Sequence, residues 1–386
     1  MQTLKRIYGA GFIFSLSLAL TAYINSSFLA EKLGTNLVGV VYAGAAFVTL
    51  LGLELLPPLI KKLGNRTIIL CLVILNVIAI TFLRLGWGPY QVACAFIIFN
   101  SSNTLIWYCL DIFIEHYSLN QRVGAIRGSY LSLTNLAWLF APLLAGLLVT
   151  WKGYSPLYDI VIVGVVATGV VLRFSLQSYH DGRYRAISML DAVRQVVRRP
   201  DLWRITVVNF ILQFFYAWMV VYTPLYLHEV HGIPFNMIGI MFTIMLAAFV
   251  IFQYPVGRLI DIVHHEREFL QVGVLIMGVA TFFFGFSLVH GNIFALALIL
   301  FTTRIGASII EVVSEGYFFK SVSDKDAEII SLFRSTTPLA YLVAPLIATL
   351  LLGFITYNSL FMILAAVVLA ALFALHRLSN ISDDAR

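Results

Sequence analysis

Asn36-Leu37-Val38-Gly39, early in the chain, is answered by Asn236-Met237-Ile238-Gly239 at an offset of 236 − 36 = 200 residues. Outward from it, Asp111-x-x-x-Glu115 matches Glu311-x-x-x-Glu315 at the same offset. Phe28-Leu29-Ala30-Glu31-Lys32-Leu33-Gly34 matches Tyr226-Leu227-His228-Glu229-Val230-His231-Gly232. Phe140-Ala141-Pro142-Leu143-Leu144-Ala145 matches Val343-Ala344-Pro345-Leu346-Ile347-Ala348 at 343 − 140 = 203. One such match in apolar sequence is chance. Four in the same order at nearly one offset indicate a duplication.

Both copies are apolar. Of 386 residues 60% are hydrophobic and 11% charged, with mean hydropathy +0.92. A soluble domain carries roughly 25% charged residues to cover its surface, so this composition excludes one. The apolar residues run in stretches of ~20, the length that crosses ~30 Å of hydrocarbon at ~1.5 Å per residue. Within hydrocarbon every backbone amide must bond inside its own segment, so these stretches are helices. Twelve are predicted, at 7–30, 37–59, 67–86, 91–115, 126–150, 156–175, 205–228, 237–259, 269–289, 293–319, 328–354 and 358–377. Turn chemistry separates them at Leu63-Gly64-Asn65-Arg66, Gly86-Trp87-Gly88-Pro89 and Lys152-Gly153-Tyr154-Ser155-Pro156. The first run is too long for a signal-peptide core and is expected to be a retained membrane helix.

The net charge of +6 points to topology rather than to nucleic acid. With the N-terminus inside, the outer segments hold only Lys32, Arg84 and Lys152, and nearly every other Lys and Arg falls inside. By the positive-inside rule both termini are then cytoplasmic, in a membrane of the bacterial inner type. Cys71, Cys94 and Cys109 all lie in apolar runs and form no metal or redox motif. The polar, basic stretch 176–203 separates a six-helix bundle at 1–175 from another at 204–386 with a short tail. Within it Ser188-x-x-Asp191 resembles a capping box, and Val193, Val196 and Val197 stand among Arg194, Arg198 and Arg199. The pattern predicts a short amphipathic helix on the membrane surface.

The loops after the second helix of each half carry a family likeness. Gly257-Arg258-Leu259-Ile260-Asp261, followed by His264-His265-Glu266-Arg267, resembles the Gly-x-Leu-x-Asp-Arg-x-Gly-Arg-Arg motif of the major facilitator superfamily. Pro57-Pro58-Leu59-Ile60-Lys61-Lys62-Leu63-Gly64-Asn65-Arg66 is a diverged first copy, with Pro57 for the Gly and Lys61 for the Asp. Ala141-Pro142-Leu143-Leu144-Ala145-Gly146 is similar to part of that family's antiporter motif. The resemblance spans nearly the whole chain. It implies an all-α membrane fold of two pseudo-symmetric six-helix bundles, with helices 1, 4, 7 and 10 lining a central cavity.

Charges in mid-membrane are expensive and usually functional. Arg304, central in its apolar run, is the leading candidate for binding an anionic group or pairing with a carboxylate. It shares a helix face with Glu311 but stands ~10.5 Å of axial rise away, so direct pairing is not expected. On the cavity-lining helices, Asn25, Asn100, Asn103, Trp107, Gln213, Tyr216 and Tyr222 are candidate solute contacts, their alternatives being interhelical hydrogen bonds or interfacial aromatics. Asp111 and Glu115 with Arg127, and Glu311 and Glu315 with Arg334, are candidate gate pairs, and Glu54, Gly257 and Asp261 are gate-side candidates.

No Walker loop, GxSxG, HExxH or zinc spacing is present in the sequence. Neither an enzyme, a metal site nor a resident cofactor is expected. The function that fits is secondary transport of a small solute by alternating access, with proton coupling open and a monomer in the lipid bilayer expected. A non-transporting sensor or scaffold is the alternative. Within transport, Arg304 and the Asn/Gln content favour uptake of a polar or anionic solute, whereas the helix 5 motif and 14% aromatic content favour efflux of amphipathic compounds.

Overall fold

The structure, a computed structural model, describes residues 2–117, 123–176, 189–263, 265–286, 292–322 and 327–380. All of its regular elements are helical: α1 (Gln2–Ala22), α2 (Asn25–Leu33), α3 (Thr35–Leu63), α4 (Asn65–Leu85), α5 (Pro89–Tyr117), α6 (Val123–Lys152), α7 (Tyr154–Ser175), α8 (Met189–Arg198), α9 (Pro200–Leu225), α10 (Phe235–Val263), α11 (Glu266–Gly285), α12 (Ile293–Ser321), α13 (Ala327–Leu352) and α14 (Tyr357–Leu375). A π-helical turn, Tyr226–Val230, extends α9. Ten helices are long and apolar enough to cross a membrane, and α1 with α2 makes an eleventh as one span bent by 46°. The apolar stretch Leu136–Lys152 of α6 brings the set into line with twelve. The chain is a multi-pass integral membrane protein.

Burial is inverted relative to a water-soluble fold. Val163, Tyr254 and Phe373 are exposed, while Ser15, Asn76, Thr281 and Arg304 are buried. Large apolar surface of this extent is untenable in water but is the normal lipid-facing side of a bilayer protein.

The chain divides into two compact units. Unit 1 comprises Met1–Ala186 and Leu227–Ile240, and unit 2 comprises Ile187–Tyr226 and Met241–Arg386. Within unit 1, α4 packs on α5 and α7, and α1 packs on α6 and α7. Within unit 2, α11 packs on α12 and α14, and α9 packs on α13 and α14. These are the same four pairings shifted by one copy, so the duplication read from sequence is also one of packing. The matched turn glycines agree in backbone too: Gly34 has φ 85° and Gly232 has φ 65°, a region that only glycine enters freely.

Two expectations change. The run at 7–30 is not one straight helix but breaks at Tyr23-Ile24, where Asn25 is drawn to the Tyr158 hydroxyl of α7 at 3.0 Å. The helix expected to stop near Pro57-Pro58 continues to Leu63 and ends at Gly64, whose positive φ and 2.8 Å bond to the Ile60 carbonyl close it. The amphipathic helix in the linker is α8. Its Val196 is buried where the helix packs on α9 and α13, and Val193 and Val197 are exposed. Ser188 of its capping box lies outside the described residues, as does the Asp191 side chain.

Small residues set the closest helix approaches. In unit 2, a Cβ on Gly306 of α12 would stand 2.5 Å from the Gly273 carbonyl oxygen and the Met277 nitrogen of α11. In unit 1, a Cβ on Gly146 of α6 would strike the Phe235 carbonyl, and one on Gly239 of α10 would strike the Pro142 carbonyl. The backbones touch, as small-residue stripes permit in membranes.

Candidate functional site

The candidate site lies in unit 2, on α9, α10 and α12. The α9 sequence puts Asn209, Gln213 and Tyr216 at i, i+4 and i+7, which is one helix face. Asn209 donates to the Thr336 hydroxyl at 2.8 Å, and Gln213 accepts from Thr337 at 3.0 Å. Tyr216 donates to Glu311 Oε2 at 2.9 Å, and Gln253 of α10 donates to the same oxygen at 3.4 Å.

Arg304 sits one turn-pair before Glu311 on α12 and is only 1% exposed. Its guanidinium carbon lies 5.0 Å from the Phe215 ring centroid and 5.3 Å from that of Tyr216. Such contacts contribute about 0.5–2 kcal/mol each, well short of what desolvating a guanidinium demands. Arg304 makes no hydrogen bond among the described residues, and its Nε and Nη1 are buried without a partner. Tyr216 spans the gap that the helix rise puts between Arg304 and Glu311: its ring lies by the cation and its hydroxyl bonds the carboxylate.

The other sequence candidates fall into different settings. Tyr222 is fully buried and donates to the Pro345 carbonyl at 2.8 Å, with Thr349 at 2.9 Å. In unit 1, Asn25 bonds Tyr158, and Asn103 accepts from Asn76 at 3.0 Å. Trp107 is half-buried, edge-on to Phe14 with centroids 5.7 Å apart, and Asn100 is half-buried. Among the gate candidates, Asp111 is half-buried, and Glu54 and Arg334 are exposed. Gly257 approaches Val312 of α12, where a Cβ would stand at 3.2 Å. The side chains of Glu115, Arg127 and Asp261 lie outside the described residues.

Phe215 and Gln253 complete the centre and were not singled out from the sequence. Gln253 carried a signal, as a lone amide in the apolar run Ile251-Phe252-Gln253-Tyr254; Phe215 carried none among 30 phenylalanines. Asn76 of α4, which also bonds Ser102 at 2.7 Å, was missed in the same way.

Fold and family match together place the chain among membrane transport proteins. The chain belongs to the Major Facilitator Superfamily, whose family model matches residues 7–237 and 231–381. Among solved structures it is similar to an auto-inhibited POT-family peptide transporter, at TM-score 0.78 and 14% identity over 99% of this chain and 98% of that one. It is also similar to the nucleoside transporter NupG, at TM-score 0.76 and 11% identity over 98% and 99%. A bacterial homologue of the iron transporter ferroportin in an inward-facing state matches at TM-score 0.72 and 15% identity over 97% and 98%. Identities this low establish the shared fold and nothing about the solute.

Proposed function

We propose that the protein is a secondary active transporter that moves a small solute by alternating access, with the solute site built around Arg304. One observation carries this: a guanidinium 1% exposed in a membrane helix, with Nε and Nη1 unpartnered. A purely structural arginine would be paired, because an unpaired buried charge is strongly destabilising. A sensor or scaffold has no need of such a group. In this reading Gln213 and Tyr216 face the solute from α9. Asn25, Asn103 and Tyr222 hold helices together, as their bonds suggest. Glu311, tethered to Tyr216, is the group through which protons couple.

The gate reading assigns Asp111, Glu115 and Arg127 in the first half, and Glu315 and Arg334 in the second, to pairing that forms and breaks during the cycle. Both termini and residues 176–203 face the cytoplasm, in an inner-type membrane, and the working unit is a monomer. Labelling of single cysteines in intact cells tests the orientation: external reaction at Ser188→Cys would reverse it. The site is tested by thermal-shift screening of solutes on purified protein with Arg304→Ala as the control. Solutes that stabilise both proteins alike would remove Arg304 from the site.

A further inference from the structure

We propose that the solute is an anion bearing a carboxylate, which takes up an edge of the Arg304 guanidinium that no described protein group bonds. This rests on the placement of the solute site given above. A guanidinium presents two edges on which two parallel N–H groups meet a carboxylate. One pairs Nε with Nη2, and the other pairs Nη1 with Nη2. The two atoms left unpartnered and buried, Nε and Nη1, belong to different edges. Neither edge is therefore occupied by a protein group among the described residues.

The surroundings decide the sign of the solute. Phe215 and Tyr216 offer ring surfaces near the cation and no charge. Glu311, the acid on the same helix face, has one oxygen engaged by both Tyr216 and Gln253 and makes no hydrogen bond to Arg304. A neutral acceptor would satisfy one N–H and leave the cation without a hydrogen-bonded anion in a medium that screens it poorly. A cationic amphipath would meet repulsion. A carboxylate satisfies two N–H groups and the charge together, in the planar geometry for which arginine is suited. This separates the two kinds of transport that the sequence leaves open, in favour of the anion.

Tyr216 is half-buried while Arg304 beside it is fully buried. The Tyr216 ring lies 5.3 Å from the guanidinium carbon, and its hydroxyl is bonded to Glu311. With Nε and Nη1 shielded from solvent, an entering carboxylate must displace side chains packed on the guanidinium.

The test is thermal-shift titration of the purified full chain with matched probes: benzoate, lactate and succinate against benzamide, lactamide, succinamide and benzylamine. The carboxylates are expected to stabilise the wild type. The amides and the amine should bind about 30-fold more weakly or not at all, the loss carried by one or two charge-assisted hydrogen bonds. Arg304→Gln should erase the carboxylate preference, and Arg304→Lys should weaken binding while keeping the sign. Stabilisation by the amides or the amine, abolished in Arg304→Gln, overturns the anion and leaves the site in place. Equal stabilisation of wild type and Arg304→Gln by carboxylates overturns both. Carboxylates without effect on the wild type up to ~10 mM, above the ~1 mM upper range of working affinities, overturn the anion. The carboxylate-to-amide ratio on the wild type decides the class even if Arg304→Gln fails to fold.

Discussion

The two halves share a packing scheme and differ in what they bury. In the first, the buried polar groups bonded between helices are neutral: Asn76 with Ser102 and Asn103, Ser101 with the Ala45 carbonyl, Asn25 with Tyr158. In the second, the corresponding helices hold a cation and a carboxylate joined through Tyr216. At the offset of 200, Thr104 stands where Arg304 does, and Leu53 where Gln253 does, although Asp111 still answers Glu311. Helix pairing needs only shape and small residues, so it survives divergence in both copies. An unpaired charge lowers stability wherever it is placed, so it is kept only where it has work to do.

The sharpest way to break this contrast is to remove the polar side chain at each of the two positions. Arg304→Met should reduce transport in proteoliposomes by at least ~100-fold while leaving the melting temperature unchanged or raised, since the cation it removes is buried with no hydrogen-bonded partner. Thr104→Ala should leave stability within ~0.5 kcal/mol. A melting temperature that falls in Arg304→Met would return Arg304 to a structural role.

Gly306→Ala should lower stability by ~1–3 kcal/mol, because the added methyl meets backbone of α11 rather than a side chain able to turn away. Thermal unfolding in detergent measures it, and no change would mean the α11–α12 crossing is looser than it stands. Tyr216→Phe keeps the ring beside Arg304 and removes its bond to Glu311, a loss of ~1.5 kcal/mol or about tenfold in transport. Asn76→Leu in the first half should instead reduce stability by ~0.6–1.7 kcal/mol, the range for hydrogen bonds inside membrane bundles, with solute preference unchanged. A shift in solute preference there would erase the division of labour between the halves. The smallest effect is expected at the exposed pair Arg84 and Asp159, where Arg84→Ala should barely move the melting temperature and the change should fade with salt.

Much of the fold was legible because the bilayer imposes strict lengths on helices and the repeat doubles each signal. Arg304 was legible for a related reason: a charge amid Leu300-Phe301-Thr302-Thr303 and Ile305 is conspicuous against its neighbours. Its lack of a partner was not, because hydrogen bonds between helices depend on rotation about each axis, which sequence spacing along one helix does not fix. Asn103 and Gln213 look alike as amides on cavity-side helices. Only the packing shows that the first is bonded to Asn76 in the interior, while the second stays half-buried with Thr337. The break at Tyr23-Ile24 was hidden because neither residue is a helix breaker, and the bend is tied to a distant hydroxyl on α7.

The prolines that α3 runs through have a mechanical consequence. Pro57 and Pro58 lack the N–H groups that would meet the Leu53 and Glu54 carbonyls, so two successive rungs are missing from the helix ladder. The corresponding helix α10 has a single proline, Pro255, and loses one rung. Helix stiffness comes from that ladder, so α3 has a softer joint than its counterpart. Under equal load the first half's rod should flex at Leu53–Pro58 while the second half's stays straighter, making the compliance of the molecule as lopsided as its charge.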